Sequence, residues 1–161
     1  MANCEGRERR KPVSTKMTGQ RDFSRAMKRL GVAFDDAVDK GTFVTAEEIR
    51  MYALKSIAET SPGKQVQRSK QGGGTYTHTA AAKGQAPNTD TGKLEASIAV
   101  ERVGDARYHI GSGLDYANWL EFGTKKMGAR PWLNPAFRAK QNNLISNISE
   151  VVNLYIDRLP K

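Results

Sequence analysis

Residues 86–137 read APNTDTGKLEASIAVERVGDARYHIGSGLDYANWLEFGTKKMGARPWLNPAF, and the order of elements in this stretch decides the fold class. Asp90 or Thr91 is placed to cap a short helical turn over Gly92–Ala96. Beyond it Ile98, Val100 and Val103 begin a strand, Gly104-Asp105 is a turn pair, and Tyr108 and Ile110 alternate in a second strand that stops at Gly111-Ser112-Gly113. Together these read as a β-hairpin. Asp115 is then placed to cap a short helix with Tyr116, Trp119 and Leu120 on one face, and Gly123 suits the left-handed residue that closes it. After a basic turn at Lys125-Lys126, Asn134-Pro135 opens another helix as an N-cap followed by proline in the first helical position.

Working outward, Phe137, Leu144, Ile148, Val151, Tyr155 and Leu159 recur near helical spacing. They predict one long C-terminal helix of about 24 residues, or about 36 Å at the standard rise, ended by Pro160. On the N-terminal side, Phe23, Met27, Leu30 and Phe34 form one apolar stripe, and Gly41-Thr42 interrupts it. Thr45 with Glu47 and Glu48 looks like a fresh helix start, where a hydroxyl cap and two carboxylates suit the positive end of the dipole. That second helix carries Ile49, Tyr52, Ala53 and Ile57 on its apolar face and stops at Ser61-Pro62-Gly63.

Residues 63–90 have no apolar period, a Gly72–Gly74 triplet and scattered cations, which reads as a long glycine-rich basic loop; Thr75–Thr79 has the composition to pair as a short hairpin arm. Residues 1–20 are polar, basic and poor in large apolar groups, so a flexible arm is expected. The predicted architecture is α+β: a small antiparallel sheet with a β-hairpin core, flanked by two N-terminal helices and one long C-terminal helix, in a single domain over residues 21–161.

The chain has 161 residues, 38% of them hydrophobic, a lean proportion for a self-sufficient monomer of this length. That points to part of the chain being unfolded or completed by neighbours. No stretch approaches the ~20 apolar residues of a membrane-spanning helix, and the first residues lack the apolar core of a secretory signal, so a cytosolic protein with no membrane partner is expected. Cys4 is the sole cysteine and excludes both an intrachain disulfide and a thiolate cluster. The formal charge of +9 is unevenly spread. Residues 1–30 carry 9 basic and 3 acidic groups, 62–93 carry 5 and 1, and 123–140 carry 5 and 0, whereas 31–61 carry 3 and 6 and 94–122 carry 2 and 5. Positive charge therefore sits on the expected arm and loops, while these last two periodic segments are acidic.

Catalytic signatures are absent: there is no phosphate-loop motif, no HExxH, no GxSxG and no cysteine pair. His78 and His109 are far apart in sequence, and the Gly111–Gly113 turn runs at once into Asp115, whose charge opposes an anion. No cofactor, no metal and no enzymatic activity is expected from these residues.

What is distinctive is composite. Thr91, Gly92, Leu94, Ser97 and Ile98 form a Thr-Gly-x-Leu-x-x-Ser-Ile box. After the hairpin, Tyr116, Ala117, Glu121, Phe122, Gly123 and Thr124 form a Tyr-Ala-x-x-x-Glu-Phe-Gly-Thr box, and Ala129, Arg130, Pro131, Trp132, Leu133, Pro135 and Ala136 form an Ala-Arg-Pro-aromatic-Leu-x-Pro-Ala box. With the boxes in this order, the chain resembles the tail-completion, or neck, family of head-tail connector proteins of long-tailed bacteriophages. The resemblance covers about Arg21 to Lys161 and leaves the segment from Gly63 to Asp90 looking like an insertion. It implies a virion protein, assembled in the host cytoplasm as a ring with sixfold order, that joins the head connector to the tail-tube or tail-terminator proteins and lets DNA pass.

The residues allow more than one local role. Arg130 and Glu121 suit a charge-assisted pair that either anchors the connection between their boxes or is an ordinary surface ion pair. Trp119, Phe122 and Trp132 suit either core or a subunit interface. Lys64, Arg68, Lys70 and Lys83 suit either non-specific contact with packaged DNA in a ring lumen or a solvated surface insertion. Competing readings of the whole chain are a tail terminator or minor tail protein, and a basic nucleic-acid-binding protein. The last is favoured by a pI near 9.8 but lacks a recognition helix or a stacking sheet signature.

Overall fold

The computed structural model describes residues 20–158, with side chains from residue 24 onward. The elements in chain order are α1 (Gln20–Ala58), β1 (Gly63–Ser69), β2 (Thr75–Ala81), α2 (Lys93–Ser97), β3 (Ile98–Gly104), β4 (Arg107–Ser112), α3 (Asp115–Phe122), α4 (Asn134–Lys140) and α5 (Asn143–Asp157). The fold is α+β, as the sequence predicts, with two separate two-stranded antiparallel sheets. The chain divides after Val32 into two compact units. In the first, the described residues are the opening turns of α1, where Met27 and Leu30 are exposed. The remainder of α1 and all other elements belong to the second. Apart from Gln20, the arm expected over residues 1–20 lies outside the described residues, as do Leu159 and Pro160.

α1 corrects the expectation of two N-terminal helices. Gly41 does not break it: the residue is buried, and a Cβ there would lie 2.6 Å from the Ile148 Cα of α5, so glycine lets two helices approach closely. Thr42 and Thr45 do not mark a new helix start either. Their hydroxyls donate within the helix to the carbonyls of Val38 (2.7 Å) and Gly41 (2.8 Å). A packing glycine and two back-bonded threonines carry the same letters as a helix boundary.

α5 lies against α1 through polar groups more than apolar burial, since none of its residues is fully buried. Asn143 donates to Glu48 (2.6 Å), Asn147 donates to Thr45 (3.0 Å), and Lys40 donates to both Asp36 (2.8 Å) and the Tyr155 hydroxyl (2.7 Å). Tyr155 also donates to Asp36, and these bonds from Lys40 and Tyr155 hold the Asp36 carboxyl below its ordinary pKa. The single long C-terminal helix is likewise corrected: it is two helices, α4 and α5, separated at Gln141–Asn142. Both separating residues keep right-handed helical angles, so the apolar period runs on through the junction.

The core is small and central. Ile49, Ala53 and Ile57 of α1 meet Leu94 of α2, Ile98 of β3, Ala117 of α3, Trp132 just ahead of α4, and Ala136 within it. Among the described residues, the largest fully buried side chains are Ile57 and Ile98, each contributing about 1.5–3 kcal/mol by burial. The β3–β4 hairpin turns its even-numbered face inward: Ile98 is buried, Val100, Tyr108 and Ile110 are half-buried, and Arg50 of α1 donates to the Ile98 carbonyl (2.9 Å). At its turn, Asp39 of α1 accepts the Ala106 N–H (3.0 Å) and pairs with Arg102 (3.2 Å). Its register slips between Arg102 and Gly104, where Val103 is left as the extra residue.

Residues 63–81, expected as loop, instead form the β1–β2 hairpin, with Lys64 opposite Ala80 and Arg68 opposite Tyr76. The expected pairing of Thr75–Thr79 is present, and it extends further than its letters suggest. Gly72, Gly73 and Gly74 all adopt positive φ at the tip, which explains the glycine triplet. Of the expected loop, residues 82–90 and the hairpin tip at 70–74 lie outside the strands.

Candidate functional site

The first box is a joint. Gly92 turns into α2 with φ 71°, so neither Asp90 nor Thr91 caps that helix; Thr91 is exposed beside it. Leu94 and Ile98 enter the core, while the Ser97 hydroxyl donates to the Leu94 carbonyl (2.7 Å) and meets the Ser112 hydroxyl (2.7 Å). Ser112 in turn accepts the Leu114 N–H at the start of α3 (3.2 Å), so the box ties α2 to the far end of the hairpin. Asp115 does not cap α3 with its side chain; it sits in the first turn.

Glu121 organises the second and third boxes. Its carboxylate accepts the N–H groups of Trp132 (2.8 Å), Leu133 (2.9 Å) and Asn134 (2.9 Å), the donors that open α4. A negative group at the start of a helix is the favoured arrangement, and it replaces the expected Asn134 cap. The Arg130–Glu121 pair anticipated from sequence is therefore not formed. Arg130 directs its Nε to the Ala81 carbonyl at the end of β2 (2.6 Å), and its backbone N–H to the Leu120 carbonyl (2.7 Å). Pro135 occupies the first turn of α4 and Pro131 is half-buried beside Arg130.

Gly123 closes α3 with φ 76°, and a Cβ there would lie 2.8 Å from both the Met127 O and the Ala129 N. Thr124 then folds the basic Lys125-Lys126 turn by accepting N–H bonds from Lys126 (3.3 Å) and Met127 (3.1 Å). Tyr116 packs half-buried on the core, and burial pushes its hydroxyl pKa up, with the Glu95 and Asp90 carboxylates adding to it.

The three clustered aromatics divide. Trp132 is core at 3% exposure, with its indole N–H directed to the Ala117 carbonyl (3.4 Å). Trp119 and Phe122 stand on the surface at 56% and 76% exposure, and Phe137 is exposed as well. Phe122 and Phe137 border a groove whose floor is the odd-numbered face of β3–β4, including Ala99, Glu101, His109 and Gly111.

The four candidate DNA-facing cations differ in their surroundings. Arg68 pairs with Asp90 (3.3 Å), which also accepts from the Tyr76 hydroxyl and faces His78 Nδ1 (3.7 Å). The stem of Lys83 lies over Gly128, where a Cβ would come within 2.7 Å of it. Lys64 is exposed on β1 and Lys70 at the hairpin tip. Two anchoring roles escape the sequence reading: that of Asp90, expected only as a cap, and that of Asn88, which accepts the Ser61 N–H (2.6 Å) and donates to the carbonyls of Ser61 and Thr79 (each 2.8 Å). The available signal is a run of short polar side chains after Pro87, a composition suited to bonding backbone.

Among the described residues, no helix is long and apolar enough to cross a membrane, and no group of three or more acidic, histidine or cysteine side chains is placed to hold a metal. Fold and surface define an α+β protein whose motif residues brace the scaffold and whose exposed groups include several large apolar side chains. The family model described as "Bacteriophage HK97-gp10, putative tail-component" matches residues 21–123, and the chain belongs to this family of bacteriophage tail components. It is accordingly a structural, tail-related protein of the virion. The match includes the β1–β2 hairpin and ends at Gly123, short of the Ala-Arg-Pro box. No curated protein and no solved structure matched the chain.

Proposed function

We propose that this tail component is a ring-forming tail-completion subunit of the neck, which joins the head connector to the tail, leaves a passage for DNA and performs no catalysis. One observation carries the reading. The chain buries few large side chains, yet Phe122 and Ile145 are mostly exposed, and Phe34, Met51, Trp119, Phe137, Leu154 and Ile156 are each at least half exposed. Exposed apolar side chains mark an interface where they gather, as Phe122 and Phe137 do along one groove. Such groups on different elements suit heterologous contacts, which close into a ring when the rotation between copies allows it. Sixfold order, and partners among the head-connector and tail-tube or tail-terminator proteins, follow from the likeness of the motif boxes.

Exposed Lys64 and Lys70 on the β1–β2 hairpin suit screening of phosphates without reading bases. Particles assembled without this polypeptide are expected to accumulate as DNA-filled heads and separate tails by electron microscopy. Full heads firmly joined to tails in its absence would overturn the reading.

A further inference from the structure

We propose that the groove over β3–β4 is the docking site for the opening turns of α1 from a second copy of this chain, a contact that rests on the ring reading and specifies how neighbours join. The groove has a volume of about 860 Å³ and lies within the second unit, between the odd-numbered face of the hairpin and α3 and α4. Phe122 and Phe137 stand exposed along it. A Cβ built at Gly111 would meet nothing within 4 Å, so the floor is low and open enough for a helix to approach.

The complementary feature is the start of α1. Met27 and Leu30, three residues apart on these opening turns, are both exposed, a pair of the kind that seats a helix in an apolar groove. Charge is complementary between the two patches. Residues 24–32 carry three basic groups, Arg25, Lys28 and Arg29, and no acidic one, a net of +3. Residues 94–122, which supply the hairpin and α3, carry 2 basic and 5 acidic groups, a net of −3. Glu101 lies in the groove itself. Opposite fields on two patches of one chain favour head-to-tail contact and oppose self-pairing of either patch, which is the condition for a closing ring.

The test uses full-length chain with Cys4→Ser, which removes the sole cysteine. Leu30→Cys and Phe137→Cys are made separately, mixed and oxidised. The expected result is a disulfide-linked dimer from the mixture and none from either variant alone. A second set of variants checks the role of charge: Lys28→Glu with Arg29→Glu is expected to weaken self-association about tenfold, and Glu101→Lys to restore part of it. Efficient linkage of Leu30→Cys to itself, or no linkage in the mixture while oligomers of unsubstituted chain persist by mass photometry, overturns the docking site and leaves the ring reading intact. Absence of any oligomer of the unsubstituted chain defeats the ring reading as well.

Discussion

The two hairpins have the same topology and differ in their main support. β3–β4 is held mainly by burial: Ile98 lies in the core, and Val100, Tyr108 and Ile110 are half-buried on the same face. β1–β2 has one large aliphatic residue, Val66, and is held by polar groups. Asp90 gathers Arg68, Tyr76 and His78, Asn88 bonds the base of the hairpin, and Gln67 donates to Thr77 across the strands (3.0 Å). Pairing of strands thus does not require an apolar face when carboxylate and amide anchors lie nearby. The consequence is a difference in rigidity, because polar contacts near water are individually weak and open more readily than a packed core.

The largest effect should come from cutting into the buried hairpin. Ile98→Ala removes a side chain from the cluster that joins α1, α2 and Trp132, and a loss of about 2–4 kcal/mol of unfolding free energy is expected by urea denaturation. Val66→Ala, at a half-buried position on β1, should cost under about 1 kcal/mol in the same assay. Equal costs at the two sites would erase the distinction between the hairpins.

A smaller effect sharpens it. Asp90→Asn keeps the size of the side chain but removes the charge that faces the half-exposed Arg68. Global stability should fall by about 1 kcal/mol or less, as expected for a partly exposed pair. Hydrogen exchange should quicken across residues 64–80 and stay unchanged across 98–112. Uniform protection changes in both hairpins would mean that the first is braced by the core after all.

The same contrast explains what is legible in the sequence. β3–β4 and α3 are readable because their apolar spacing is dictated by what they bury, and Gly123 is readable because its positive φ demands glycine. β1–β2 is not, because its support comes from Asp90 and Asn88, outside the strands themselves. Gly41 misleads because a glycine that admits Ile148 looks the same, in one dimension, as one that ends a helix. At the site, the importance of Glu121 is visible in its box, but its partner is not. A nearby arginine is the obvious candidate, and three backbone N–H groups at the start of α4 have no side-chain letter to announce them. For the aromatic cluster, sequence offers core or interface for all three residues, and only packing assigns Trp132 to the core and leaves Trp119 and Phe122 on the surface.

If the exposed apolar groups are interfaces between copies of this chain, the purified protein assembles without other virion parts. Native mass spectrometry, with electron-microscopic class averages of the same sample, measures that directly. A single closed ring with a fixed number of copies is the expected result. A monodisperse monomer at tens of micromolar, or open filaments of indefinite length, would contradict it.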